Sequence, residues 1–351
     1  MNYNLPSTQD ELWRRTRPDR FDPNQSMTSS VVGDLRIDTS PSKGVHVLPL
    51  ADARAHFPLL LKQSSVQEIP NFARLIEERG NEGVFVFVEP GAGNGEEVRI
   101  RFDLSLTQGS HGALRNFVVV SPDTRVRLVE TVEDPGGEQA FASTRVLVGR
   151  GAKLEYLRSW NLNRKAYWHS GIHLNEGATA QVTTFARGSG ISKIEEVAEL
   201  AGDGADLDEL FVDEAKGRFH IDAGMTVRHL APNTRSRLKV RGVVRDKGYS
   251  LHHGNIKVIR EAPGSDTYFS SRHLLLSRKG RADVIPKLEI DIDDVKAGHG
   301  ATVGSVDPEA IFYLMSRGLT KEDSEGLYVE GFLTELFQRF PEMEGESRRE
   351  G

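Results

Sequence analysis

No cysteine occurs anywhere in the 351 residues. That absence excludes a disulfide framework, a thiolate zinc site and persulfide chemistry on this polypeptide. No window approaches the roughly 18 consecutive apolar residues of a membrane span, so no membrane partner is expected. Charge of one sign does not accumulate in long runs, and the net charge of −6 argues against a nucleic-acid or anionic-membrane surface as the main partner. The first residues carry Asp10 and Glu11 and no apolar core of a leader, so neither a signal nor a transit peptide fits. The expectation is a soluble, cytoplasmic chain.

Glycine is plentiful, with 34 residues against an ordinary share of about 7%. Residues 1–80 read as an N-terminal helical region. Thr8 and Glu11 have the spacing of a capping box, and Leu50 to Leu61 (interrupted by Pro58) and Phe72 to Arg79 are candidate helices. Asp19 to Lys43 is polar and reads as loop. Residues 81–304 read as a β core. Short runs such as Val84–Val88 and Val98–Phe102 follow one another with turn signals between them. Residues 305–341 form a C-terminal helical domain, and 342–351 a charged, disordered tail.

A Gly-Ala pair followed by alternating residues recurs at Gly151, Gly177 and Gly204, at intervals of 26 and 27 residues. Strands do not alternate with long helices, which excludes a doubly wound sheet. A repeat of this length fits a right-handed parallel β-helix, with an antiparallel sandwich as the competitor. The fold class expected is therefore mainly β, a β-helix core with helical regions at both ends. In Val284–Asp293, Val284, Pro286, Leu288, Ile290 and Ile292 share one face, and Glu289, Asp291 and Asp293 point outward as a solvated face.

The most informative stretch is Lys296-Ala-Gly-His-Gly-Ala-Thr-Val-Gly304 running into Asp307-Pro-Glu-Ala-Ile-Phe-Tyr-Leu-Met-Ser-Arg-Gly318. It reads as a strand end, a histidine among small residues and a helix start. Asp307 caps the helix, Pro308 occupies its first turn and Gly318 is a left-handed stop. His299 is either a metal or cluster ligand, or a proton-accepting group, at an interface, or a loop histidine capping the strand end. Phe312, Tyr313, Leu314 and Met315 are four large residues in a row, more than one helix face can bury. They pack between helices or meet another protein, and Arg317 beside them suits an interface anchor.

Other histidines are weaker candidates. His169 and His173 share one strand face but lack a third ligand, and Tyr167 and Trp168 beside them suggest surface packing. His252 and His253 fall on opposite faces, and His273 reads as partnered in the core. Gly91 to Gly95 lacks the pattern of a phosphate loop, and no Gly-x-Ser-x-Gly elbow occurs.

The 296–318 stretch resembles the C-terminal signature of the SufB/SufD family of iron–sulfur cluster assembly proteins. The resemblance extends from about Gly248 to Arg339 and returns at Leu5–Thr16, which looks like the opening of SufD. Ala297 stands where relatives often carry cysteine. The resemblance implies a SufD-like, non-catalytic scaffold that pairs with a SufB-type subunit and docks a SufC-type ABC ATPase, which hydrolyses the ATP. It implies that His299 lies at the SufB contact, and that Phe312, Tyr313, Leu314, Arg317 and Gly318 belong to the ATPase-docking domain. No cofactor is expected to bind this chain stably alone; a transient iron–sulfur cluster or iron would form at the SufB interface. A SufB-like homodimeric scaffold and a β-helix enzyme acting on polysaccharide are the alternatives.

Overall fold

From Val84 onward, apolar residues fall at every second position of short runs, and in a strand that places them all on one face. The computed structural model describes residues 6–21, 32–40, 43–62, 71–80 and 82–343. Its strands begin with β1 (Val32–Ser40), β2 (Val45–Pro49), β3 (Val84–Val88), β4 (Val98–Leu106), β5 (His111–Val120) and β6 (Arg125–Glu133). Then come β7 (Gln139–Val148), β8 (Lys153–Leu162), β9 (Lys165–Leu174), β10 (Thr179–Gly188), β11 (Ile191–Leu200) and β12 (Asp206–Ala215). The last are β13 (His220–His229), β14 (Arg235–Val244), β15 (Tyr249–Val258), β16 (Ser265–Leu275), β17 (Arg281–Ile290) and β18 (Val295–Ser305).

From β3 onward, successive strands do not pair with each other. β8, β10 and β12 pair in parallel and in unbroken register, and so do β9, β11 and β13. The result is two facing nine-stranded sheets, one holding β1 and the even strands from β4, the other β2 and the odd strands from β3. This is a parallel β-solenoid, and the parallel ladders exclude the antiparallel sandwich. Both sheets turn one face inward, where Val182, Tyr156, Trp160, Trp168, Phe211 and Phe269 form a continuous buried column.

The recurring Gly-Ala pairs mark one corner of the coil. Gly151, Gly177 and Gly204 adopt φ of +64°, +61° and +68°, and Ala152, Ala178 and Ala205 after them are fully buried. The same corner continues as Asn233-Thr234 and Gly264-Ser265, again with positive φ followed by a buried small residue. What repeats is a left-handed backbone and a small side chain, which Asn-Thr and Gly-Ser satisfy as well as Gly-Ala.

The N-terminal region contains helices α1 (Leu50–His56), α2 (Pro58–Lys62) and α3 (Asn71–Arg79). It also supplies two strands, which corrects the loop reading of 19–43 over Val32–Ser40. β1 runs antiparallel to β4, with Leu35 opposite Leu104 and Ile37 opposite Phe102. A polar segment thereby becomes a strand through the pairing it gains. β2 is likewise antiparallel to β3, so both sheets end in an antiparallel strand on this side. Residues up to Leu5 of the opening motif, and part of the polar segment, lie outside the described residues.

Two layers cover the outer faces of the solenoid. On one sheet Trp13, Phe21 and Phe72 pack on Phe141 and Tyr167, with the Trp13 and Phe72 rings stacked at 5.0 Å. On the other, Leu333, Leu336 and Phe340 pack on Leu157, Phe185 and Leu210. These residues follow helices α4 (Pro308–Ser316) and α5 (Lys321–Phe332) and include α6 (Thr334–Arg339). Thr320 accepts from the Asp323 amide at 3.1 Å as the cap of α5. The tail reading is corrected at its start: Met343 is buried against the sheet, and residues 344–351 lie outside the described residues.

Candidate functional site

The coil ends at β17 and β18, the last strands of the two sheets. His299 lies in the middle of β18, which corrects its reading as a loop histidine capping a strand end. The parallel register continues a single column through Tyr156, Val182, Glu209, Leu238 and Phe269 to His299. Every earlier member is buried in the interior, whereas His299 is exposed because, among the described residues, no strand stacks beyond its own. Its neighbours Gly298 and Gly300 accommodate the ring of Tyr268; a Cβ at either would come within 3.1 and 3.0 Å of it. Tyr268 and Val303 are 44% and 42% exposed, so the end of the coil is apolar as well as unpaired. Two adjacent edges with free N–H and C=O groups form a template for another chain.

Helix α4 follows directly. Asp307 accepts from the Glu309 amide at 2.9 Å, Pro308 opens the first turn and Gly318 has φ of +96°. Of its residues Ile311 is buried and Leu314 half-buried, while Phe312 and Tyr313 are 74% and 57% exposed. Arg317 lies with its guanidinium 5.2 Å from the centre of the Tyr313 ring and donates to the Tyr313 hydroxyl at 3.3 Å. Met315 is exposed together with Leu319 and Leu327. Packing between α4 and α5 therefore leaves most of the apolar run facing outward.

The remaining histidines fall where their registers put them. His169 and His173 do share the outer face of their sheet. His169 is wholly buried, with Nδ1 3.1 Å from the Ser143 hydroxyl, and its pKa is pushed down to about 3 by burial and then by Arg145. His173 sits 3.2 Å from Glu199, which also takes Arg228 at 2.8 Å. Tyr167 and Trp168 are fully buried, which corrects the surface-packing reading. His252 and His253 do point to opposite faces, toward Asp213 at 2.8 Å and Asp222 at 3.6 Å. His273 is a core residue between the Ser250 and Ser271 hydroxyls. Gly91 to Gly95 form a short turn with mixed left-handed residues, without the helix a phosphate loop requires.

Sequence reasoning missed a polar cluster within the solenoid. Arg158, fully buried, pairs with Glu196 at 2.5 Å and Glu209 at 3.4 Å and donates to Ser170 at 3.0 Å. Glu130 accepts from Tyr156 and, at 3.0 Å, from Trp160. Burial, then the neighbouring Glu196, lifts the Glu209 carboxyl well above its usual range. The available signal was alternation itself, since Glu130, Arg158, Glu196 and Glu209 occupy positions whose neighbours two residues away are apolar.

A family model described as the SUF system FeS cluster assembly, SufBD core domain, matches residues 105–332. SufD of Bacillus subtilis is 36% identical over 177 residues, covering 50% of this chain and 37% of that protein. SufD of Escherichia coli is 32% identical over 168 residues, covering 48% and 40%. SufB of Bacillus subtilis is 26% identical over 275 residues, covering 77% and 59%. The chain spans between 24% and 59% of the length of such curated relatives.

Proposed function

Because the chain belongs to the SufB/SufD family of SUF-system iron–sulfur cluster assembly proteins, we propose that it is a SufD-like scaffold subunit without catalytic turnover of its own. The observation that carries this reading is His299, an exposed imidazole on the uncovered last rung of a chain that has no thiol. Iron–sulfur clusters are usually held by cysteine thiolates, with histidine as an occasional ligand. A cluster built at this rung therefore takes its sulfur ligands from a neighbour, and this chain contributes a nitrogen donor and a shaped surface. A SufB-type subunit whose own last strands stack on β17 and β18 would satisfy both edges and bring its ligands to His299.

The exposed Phe312, Tyr313 and Arg317 group is the docking surface for a SufC-type ATPase. Aromatic and arginine side chains at the centre of a patch are the usual energetic anchors of an interface. ATP-driven movement of that partner would then be transmitted through α4, which joins β18 by only Val306 and Asp307. The composition fits SufD better than SufB, as a SufB-like scaffold would be expected to bring thiols. A self-paired, SufB-like dimer is the second reading, favoured by the wider coverage of the SufB match.

The test is co-expression with SufB-type and SufC-type subunits, followed by affinity capture and mass determination. A complex containing all three supports the heteromeric reading. A dimer of this chain that takes up the ATPase without a SufB-type partner supports the second, and a solitary monomer overturns both.

A further inference from the structure

Inside the solenoid, close to its uncovered end, two imidazoles and a carboxylate converge. Asp213 of β12 and His273 of β16 lie in the same inward row of one sheet, separated by Gly242 of β14. Gly242 creates the space between them, since a Cβ there would stand 2.1 Å from the His273 ring. His252 reaches across from the opposite sheet, with its ring centre 5.2 Å from that of His273. One donor atom from each of the three residues lies within 4.8 Å of the others, and all three side chains are buried.

Their hydrogen bonding is incomplete. His252 Nε2 lies 2.8 Å from Asp213 Oδ1, but His252 Nδ1 and Asp213 Oδ2 are buried without a hydrogen-bond partner. Unpartnered polar atoms at this depth are costly. A carboxylate whose ion-pair partner is a histidine is costlier still unless a positive charge joins it.

We propose that Asp213, His252 and His273 form a binding site for a divalent first-row transition ion. Two imidazoles and a carboxylate are a donor set that suits Fe²⁺ or Zn²⁺. A bound ion would neutralise the buried carboxylate and engage donors that are otherwise unmatched. His273 Nε2 lies 3.0 Å from the Ser250 hydroxyl and Nδ1 3.3 Å from that of Ser271; a bound ion would displace one of them and leave the other to orient the ring, as outer partners of ligating histidines do. The way in is short: His273 pairs in register with Val303 of the last strand, which is 42% exposed, and His252 with Val284 of the other. The site needs neither of the partners proposed above.

The experiment is anaerobic titration of the full chain with Co²⁺ and, separately, Fe²⁺, read by metal content, the visible Co²⁺ spectrum and X-ray absorption. Expected is about one tightly held ion with an imidazole-containing shell. His299→Ala should retain it, while His252→Gln and Asp213→Asn should lower affinity at least about tenfold. Wild-type chain that holds no ion overturns the proposal whatever the variants do. So does an ion whose affinity follows His299 or is indifferent to both interior substitutions. If an interior variant fails to fold by circular dichroism, the wild-type absorption spectrum decides: a shell without imidazole rejects the site.

Discussion

His299 lies directly beside Phe269 in the ladder, yet Phe269 is wholly buried and His299 is exposed. One strand of depth separates a core ring from a free imidazole, so the two positions respond differently to substitution. His299→Ala should change stability by no more than about 0.5 kcal/mol, as surface changes do. In the assembled complex it should depress cluster formation with the subunits still bound together. Chemical denaturation and anaerobic cluster reconstitution, run side by side, measure both. Normal assembly rates would reduce His299 to an ordinary edge residue.

Phe312→Ala or Tyr313→Ala should weaken capture of the ATPase subunit by about 2 kcal/mol, roughly 30-fold, if these rings are the anchors of that contact. Because both are more than half exposed in the free chain, unfolding of the isolated protein should hardly change. Titration calorimetry with the ATPase subunit is the direct measurement, and unchanged affinity would remove α4 from the interface.

Lys193 is fully buried on the outer face of its sheet, donating to Asp222 at 2.8 Å and to the Leu12 carbonyl at 2.7 Å. It thus clamps the N-terminal segment beneath Trp13. Lys193→Met strands the Asp222 carboxylate and should cost about 3–5 kcal/mol. The double variant Lys193→Met, Asp222→Leu should recover part of that loss. Urea denaturation of the three proteins distinguishes the outcomes; equal midpoints would mean that the pair contributes nothing.

Acid should act on His169 in a defined direction. Its folded pKa is depressed to about 3 by burial, whereas an unfolded histidine titrates near 6.5. Between those values the unfolded chain binds the proton and the folded chain does not, so the neutral buried ring loses stability as pH falls below about 6.5. The slope approaches about 1.4 kcal/mol per pH unit for this one group. Relative to wild type, His169→Gln should therefore gain ground steadily from pH 6.5 toward 4. A stability difference that is flat with pH would show that His169 is protonated when folded.

The strand positions of the core were readable because alternation is a local signal. Val284 to Ile290 and the Gly-Ala corners each announced their place in the coil. The corners at Asn233 and Gly264 were harder to read, since the requirement is a backbone angle and a small volume, which several residue pairs meet. β1 was hidden for another reason: Asp34, Arg36 and Asp38 make it polar, and only its pairing with β4, far along the chain, turns it into a strand. Of the candidate site, His299 and the α4 patch were visible as residues. That His299 caps an interior column was not, because the column is assembled from residues about 30 positions apart. The meeting of Asp213, His252 and His273 was out of reach for the same reason, as it needs both sheets at once.

The two ends of the coil are unlike. On one side the ladders finish in antiparallel strands, and β1 there is studded with charge; on the other they stop at two parallel edges beyond which no further strand pairs among the described residues. Stacking of one parallel edge on another is thus offered at one end only. Two molecules joined through these parallel edges would turn their antiparallel ends outward, where the charge on β1 opposes further edge-to-edge growth into a fibre.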